Sequence, residues 1–285
     1  MVTDAGFPIA YEVFEGNTFE GHTLIPVISA FKNKHQIETL TVVADAGMIS
    51  FDNIQVLSAN NLHYIVGART GNLPLTLIKK ISQELNQENQ KSFRTQTDHG
   101  TLICDFSNKR FSKDKWEMEK QIKKAEILLQ KPGKIKRIKF LKNQKQNNIV
   151  LNTDLIEKTK LLLGIKGYYT NLGEEINNVT IINHYHNLWH VEQAFRIAKS
   201  DLQMRPIYHF KNQSIKVHAL ICFMALAVCK YIEIKTGKSI KHVTKLLKGI
   251  TDIKIINTLN NQEIIMRSEI SDEIKDILSK LGVSY

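Results

Sequence analysis

Cysteine is scarce in this chain of 285 residues: Cys104, Cys222 and Cys229 are the only three. An odd, sparse set excludes a disulfide framework and points to a reducing, cytoplasmic setting. No Cys-x-x-Cys pair occurs, which argues against a structural zinc site. The N-terminal stretch "MVTDAGFPIAYEVFEG" has no charged n-region and no apolar h-region, so it does not read as a signal peptide. Long apolar runs are missing too. The longest, "VHALICFMALAVC" at 217–229, falls short of the ~20 apolar residues that span a bilayer, and it reads as a buried helix. Acidic residues are in deficit, with 28 Asp and Glu against 39 Lys and Arg, a formal charge of +11. No internal repeat is visible.

Hydrophobic residues make up 42% of the chain, enough for a real core. The excess of positive charge favours a polyanion as partner, with nucleic acid the default. The alternative is Lys used as generic surface.

The first seventy residues alternate between strand and helix. "DAGF" reads as a turn and "PIAYEVFEG" at 8–16 as a strand ending in Gly, so the chain opens within a hairpin. A helix is expected over 23–35. The β-branched run "TLTVVADAGM" at 39–48 reads as a central strand covered on both faces, stopping at Asp45 and Gly47. "SFDNIQVLSANN" at 50–61 reads as a helix with a Ser cap, and "HYIVGAR" at 63–69 as another strand. This alternation is the signature of an α/β sheet.

Residues 71–173 read as an α+β insertion, partly β-rich and strongly basic. It holds a helix, the strand "GTLICDFSNKR", a long charged helix over 112–130, a basic strand from "PGKIKRIKFLKN" and the short aromatic strand "KGYYTNL". Its basic stretch is either a solvated surface or a phosphate-contacting face. Residues 174–236 read as two helices, and 237–285 as a helical tail.

The stretch "NHYHNLWHVEQAFRIAKSD" at 183–201 reads as one amphipathic helix. Leu188, Val191, Phe195, Ala198 and Leu202 form its expected core stripe. Beside them run Tyr185, Trp189, Glu192, Arg196 and Lys199. Glu192 sits seven residues from both Tyr185 and Lys199. A solvated Arg/Lys–Glu ladder accounts for such a stripe by itself. His184, His186 and His190 read as polar helix residues. Asp45 gives the stripe a second meaning, because open α/β sheets place their chemistry at the C-terminal ends of central strands. Its plainer role is to cap the turn before Gly47. Asp45 and Glu192 together have the ligand chemistry of a Mg²⁺ site, and two such ions drive phosphodiester chemistry.

These residues resemble the DDE transposases of insertion sequences, in the group of insertion sequence four and its relatives. The group carries the helix signature Tyr-x2-Arg-x3-Glu-x6-Lys, preceded by a β-rich insertion. Tyr185, Glu192 and Lys199 match it position by position, and Leu188 stands where the pattern has Arg. "VVADAGM" resembles the strand bearing the second catalytic Asp, here Asp45, and the resemblance runs in order over roughly 5–235.

The resemblance implies an RNase H-like catalytic core. It implies Asp45 and Glu192 as catalytic metal ligands for Mg²⁺, and transposon-end and target DNA as substrates. A homodimer in the full-length context is implied as well. Tyr185 and Lys199 are expected at the phosphate beside the scissile bond, and Arg196 as a substitute for the missing Arg. Trp189 is expected to stack on a base or to pack, and Arg205 to hold a backbone phosphate or to close the helix. The family's first catalytic Asp belongs on a strand upstream of the hairpin, and Asp4 lies in a turn instead. The chain is therefore expected to be an N-terminally truncated transposase, aggregation-prone and inactive alone. A non-catalytic remnant that grips DNA or pairs with, and inhibits, intact transposase is the alternative. An unrelated RNase H-like nuclease is a third.

Overall fold

The computed structural model describes residues 1–15, 20–47, 51–130, 138–143 and 149–284. It divides into two compact units, Gly16–Leu188 and a second made of Met1–Glu15 with Trp189–Tyr285.

The first unit is built on a five-stranded mixed sheet. Helix α1 (Glu20–His35) precedes strand β1 (Thr41–Ala44), helix α2 (Phe51–Ala59) and strand β2 (His63–Ala68). The β-branched run in β1 buries Val42 and Ala44 on one face, and β1 pairs in parallel with β2 from Thr41↔His63 to Ala44↔Val66. Helix α3 (Leu75–Leu85) follows, then β3 (Ser92–Thr97), β4 (Gly100–Phe106) and the long helix α4 (Asn108–Gln130). A ribbon of β5 (Leu141–Asn143) and β6 (Ile149–Leu151) leads to α5 (Thr153–Leu161), β7 (Ile165–Thr170) and α6 (Asn178–His186).

The strand order is β1-β2-β7-β4-β3, with every pairing after β1–β2 antiparallel. The expected insertion therefore supplies β7, β4 and β3 to the same sheet as β1 and β2. The reason is in its sequence: "LIC" in β4 and "GYY" in β7 are continuous apolar runs, which suit strands covered on both faces. One face packs Val42, Tyr64, Val66 and Leu102 under Ile54, Leu57, Ile78 and Ile81 of α2 and α3. The opposite face packs Ile65, Ile103 and Tyr168 under Ile181, Ile182 and Tyr185 of α6. Each of the fully buried isoleucines is worth about 1.5–3 kcal/mol relative to exposure. Arg94 of β3 fixes the loop that leads into α6, donating to the carbonyls of Leu172, Gly173 and Ile176 at 2.8–3.1 Å. A smaller cluster joins α4, the β5–β6 ribbon and α5 around Phe140. The expected Ser50 cap and most of the basic strand before β5 lie outside the described residues.

The second unit contains α7 (Trp189–Arg196), a π-turn at Ile197–Asp201, the long helix α8 (Asn212–Thr236), α9 (Ile240–Leu247), a hairpin of β8 (Asp252–Ile256) and β9 (Glu263–Arg267), and α10 (Asp272–Lys280). Its core is Ala194, Ile197 and Leu226. The β8–β9 hairpin corrects the expectation of an all-helical tail: "DIKII" and "EIIM" are β-branched runs that helices disfavour. Near the N-terminus the expected strand over 8–16 reduces to one antiparallel bridge, Val2↔Pro8, across the expected turn. Residue 16 lies outside the described residues.

The stretch at 183–201 is not one helix. α6 ends at His186, where the Leu188 N–H turns back to the Tyr185 carbonyl three residues earlier. A new helix starts at Trp189 and runs into the π-turn. Helix α8 also departs from expectation. It is long and apolar enough to cross a membrane by length and composition, yet only 22% of its most apolar window is buried.

Candidate active site

Asp45 follows β1 directly, at the C-terminal end of the parallel pair, and its carboxylate is exposed. The Tyr185 hydroxyl donates to its Oδ1 at 2.9 Å. Tyr185 reaches it from α6 on the second-face core, where it is only 4% exposed. Its ring meets the Tyr168 ring at 4.8 Å, edge on, and the Lys166 ammonium lies 4.2 Å from its centroid. Burial beside Asp105 pushes the Tyr168 phenol well above its ordinary range. Tyr168 Oη also lies 3.4 Å from His186 Nε2, and burial, aided by Lys166 and Arg110, holds that imidazole below its ordinary pKa.

Gly67 permits the approach of Tyr185. A Cβ at that position would sit 2.6 Å from Tyr185 Oη and 3.2 Å from the Ala46 backbone nitrogen. Arg69, just past β2, donates to the Ala46 carbonyl at 3.0 Å and fixes the turn that carries Asp45. A cleft of about 360 Å³ opens beside it, lined by Ala46, Gly67, Arg69, Asn72, His99 and Tyr169 among others.

Glu192 lies in the first turn of α7, exposed, with no hydrogen bond or ion pair among the described residues. Trp189 is 51% exposed, and its ring stacks on His190 at 3.8 Å. Arg196 and Lys199 are exposed, and Lys199 stands over the Phe195 ring at 5.6 Å. Arg205 is exposed beyond the π-turn. The buried residues of α7 and the π-turn are Ala194, Ile197 and Ala198; of the expected stripe Ala198 is buried and Leu202 packs against this cluster, whereas Phe195 is 59% exposed. The π-turn takes Lys199 off the 3.6-residue register that aligned it with Glu192.

The sequence model of the transposase DDE domain family matches residues 1–228. The chain belongs to this family. No curated protein and no solved structure matches it. The mixed α/β sheet fits the RNase H-like core of a DDE transposase, and transposases of this family bind DNA and generally use divalent metal ions. Asp45 suits such an ion as a hard oxygen donor, since Oδ2 has no protein partner among the described residues. Glu192 suits it equally. Among the described residues, no group of three or more His, Cys, Asp or Glu is placed to hold a metal.

In this transposase the residues that sequence reasoning missed are Gly67, Arg69 and Lys166. Arg69 had a signal: it follows the second parallel strand, at the sheet end where α/β proteins keep their sites. Gly67 and Lys166 act through a tertiary contact with Tyr185 that no local pattern encodes.

Proposed function

We propose that the chain binds the ends of an insertion sequence and serves Mg²⁺-dependent DNA cleavage and strand transfer there, with Asp45 and Glu192 as metal-binding carboxylates. The observation that supports this most is the Tyr185–Asp45 hydrogen bond. It joins the first residue of the helix signature to the strand-end carboxylate across 140 positions of sequence. A buried Tyr whose hydroxyl donates a hydrogen bond to Asp45 is a positioning residue: it sets the carboxylate's rotamer and leaves the second oxygen for a cation. Trp189, Arg196, Lys199 and Arg205 are the DNA-contacting residues, with Trp189 stacking on a base and the cations meeting phosphates. Bound Mg²⁺ supplies charge neutralisation and activates the attacking hydroxyl. The protein acts in the cytoplasm, on DNA, and as a homodimer.

A second reading is a DNA-binding or transposase-pairing protein without catalysis. It is favoured by the lack of a three-carboxylate group among the described residues, since two-metal chemistry normally draws on a third.

One experiment separates the two. The full chain is mixed with labelled duplex carrying the terminal repeats that flank its gene, with and without Mg²⁺, at 50 and 200 mM salt. The expected result is strongly salt-sensitive binding and Mg²⁺-dependent nicking that disappears in Asp45→Asn and Glu192→Gln. Nicking that persists undiminished in Glu192→Gln overturns the metal assignment. Binding without nicking, equal in all three proteins, establishes the second reading.

A further inference from the structure

Helix α8 carries an exposed apolar seam. Val217, Ile221, Met224, Val228 and Tyr231 recur at alternating steps of four and three residues, and Leu220 and Ile234 flank them. All seven are between 43% and 59% exposed. That alternation is the 3.5-residue repeat of a coiled-coil interface, sustained over about 15 residues, or roughly 22 Å of helix. The opposite side of the helix is already used. Ala219, Cys222 and Leu226 are buried, and Lys230 is 3% exposed and bonded to Gln193 and Glu233, both at 2.9 Å.

We propose that this face is a self-association surface, on which the α8 of a second copy packs seam against seam. Area is the first argument. Seven large side chains left about half exposed make a strip of roughly 600 Å², at the top of what a monomer normally shows. Two such strips bury roughly 1,200 Å², the lower bound of a specific protein interface. Self-complementarity is the second. Among the described helices, α8 alone exposes apolar residues at this spacing, so the helix that matches it in length and repeat is another α8, as a two-fold interface requires. A lipid bilayer is the competing occupant of a helix this apolar. It is disfavoured by the far side, because crossing a membrane would strip the Lys230–Glu233 pair and Gln193 of their packing and place two charges in hydrocarbon.

The test is sedimentation of the full chain from 1 to 100 µM, beside Met224→Glu, Ile221→Asn and Leu259→Glu. Leu259 is 96% exposed in the loop between β8 and β9 and serves as the control apolar site. The expected result is a dimer in the wild type and in Leu259→Glu. Met224→Glu and Ile221→Asn should weaken the dimer at least 10-fold, with the circular dichroism of all four proteins unchanged. A wild type that stays monomeric to 100 µM overturns the proposal, as does a dimer that both seam variants leave intact. Wild-type monomer that co-sediments with phosphatidylcholine vesicles, while Met224→Glu does not, overturns it in favour of a lipid occupant.

Discussion

The missing Cβ of Gly67 decides how close Tyr185 can come to Asp45. Adding it would force Tyr185 Oη, 2.6 Å away, to move, and would crowd the Ala46 nitrogen at 3.2 Å. Gly67→Ala should therefore cost about 1–3 kcal/mol, in the range of core overpacking. Tyr185→Phe alone should cost about 1 kcal/mol, the worth of one hydrogen bond. The two should not add. Without the hydroxyl the new methyl loses its closest clash, so the double variant should be more stable than the sum by about 1 kcal/mol in a urea-denaturation cycle. Strict additivity would place the strain at Ala46 instead. A second residue-level dependence lies at Lys230. Its partner Glu233 also accepts from the Ile240 N–H at 3.0 Å and so ties α8 to the start of α9. Lys230→Met strands a buried carboxylate and should cost about 3 kcal/mol. Adding Glu233→Gln should restore part of that, because the charge is gone while an oxygen remains for Ile240. A double variant no better than Lys230→Met alone would show that packing, not the stranded charge, sets the cost.

At the scale of elements, the stretch from α6 to the π-turn separates what sequence shows from what it hides. Periodicity found the helical residues but read them as one continuous rod, which turned Phe195 inward and missed Ile197 while placing Ala198 correctly. The break at Asn187–Leu188 has no Pro or Gly to announce it; it arises where α6 completes its packing on the sheet through Ile181, Ile182 and Tyr185. The consequence is measurable. Phe195→Asp should change stability by less than about 0.5 kcal/mol, whereas Ile197→Ala should cost about 2–4 kcal/mol. The reverse order would restore the continuous helix. The β1–α2–β2 run was legible because β-branched strands and a helical repeat are local signals. That β7, β4 and β3 extend the same sheet was not, since antiparallel pairing of β7 with β4 across 58 residues of intervening chain, and with β2 across 96, leaves no local mark. Of the candidate site, strand-end position and signature spacing singled out Asp45 and Glu192, and the structure places Asp45 directly after β1 and Glu192 exposed in the first turn of α7. The Tyr185–Asp45 bond was not legible, because a spacing within one helix says nothing of a strand 140 residues away.

For the whole molecule, acid is the condition that separates local chemistry from net charge. Burial holds His186 below its ordinary pKa, aided by Lys166 and Arg110 and opposed by Asp105. Burial also lowers His190, aided by Lys230 and opposed by Asp4. A folded-state pKa below the unfolded value means that the unfolded chain binds the proton first. The stability from these groups is therefore fully present above about pH 6.5 and is lost as pH falls below it. A second loss follows at lower pH. Hydrogen bonds from Lys238 and His242 pull Glu273 down to about 2, so its contribution is fully present above about pH 4.5 and is lost as pH falls from there toward about 2. The urea midpoint should thus fall in two stages, one beginning as pH drops through about 6.5 and one below about 4.5. A chain already at +11 also gains charge on acidification, and self-repulsion would lower the midpoint over the same range. Salt tells them apart. Repulsion spread over the surface is screened at 0.5 M NaCl, whereas the desolvation penalty of charging His190, whose Nδ1 is buried, is screened much less. The first stage should survive in high salt and shrink in His190→Gln. A first stage abolished by salt and indifferent to His190→Gln would assign it to net charge alone.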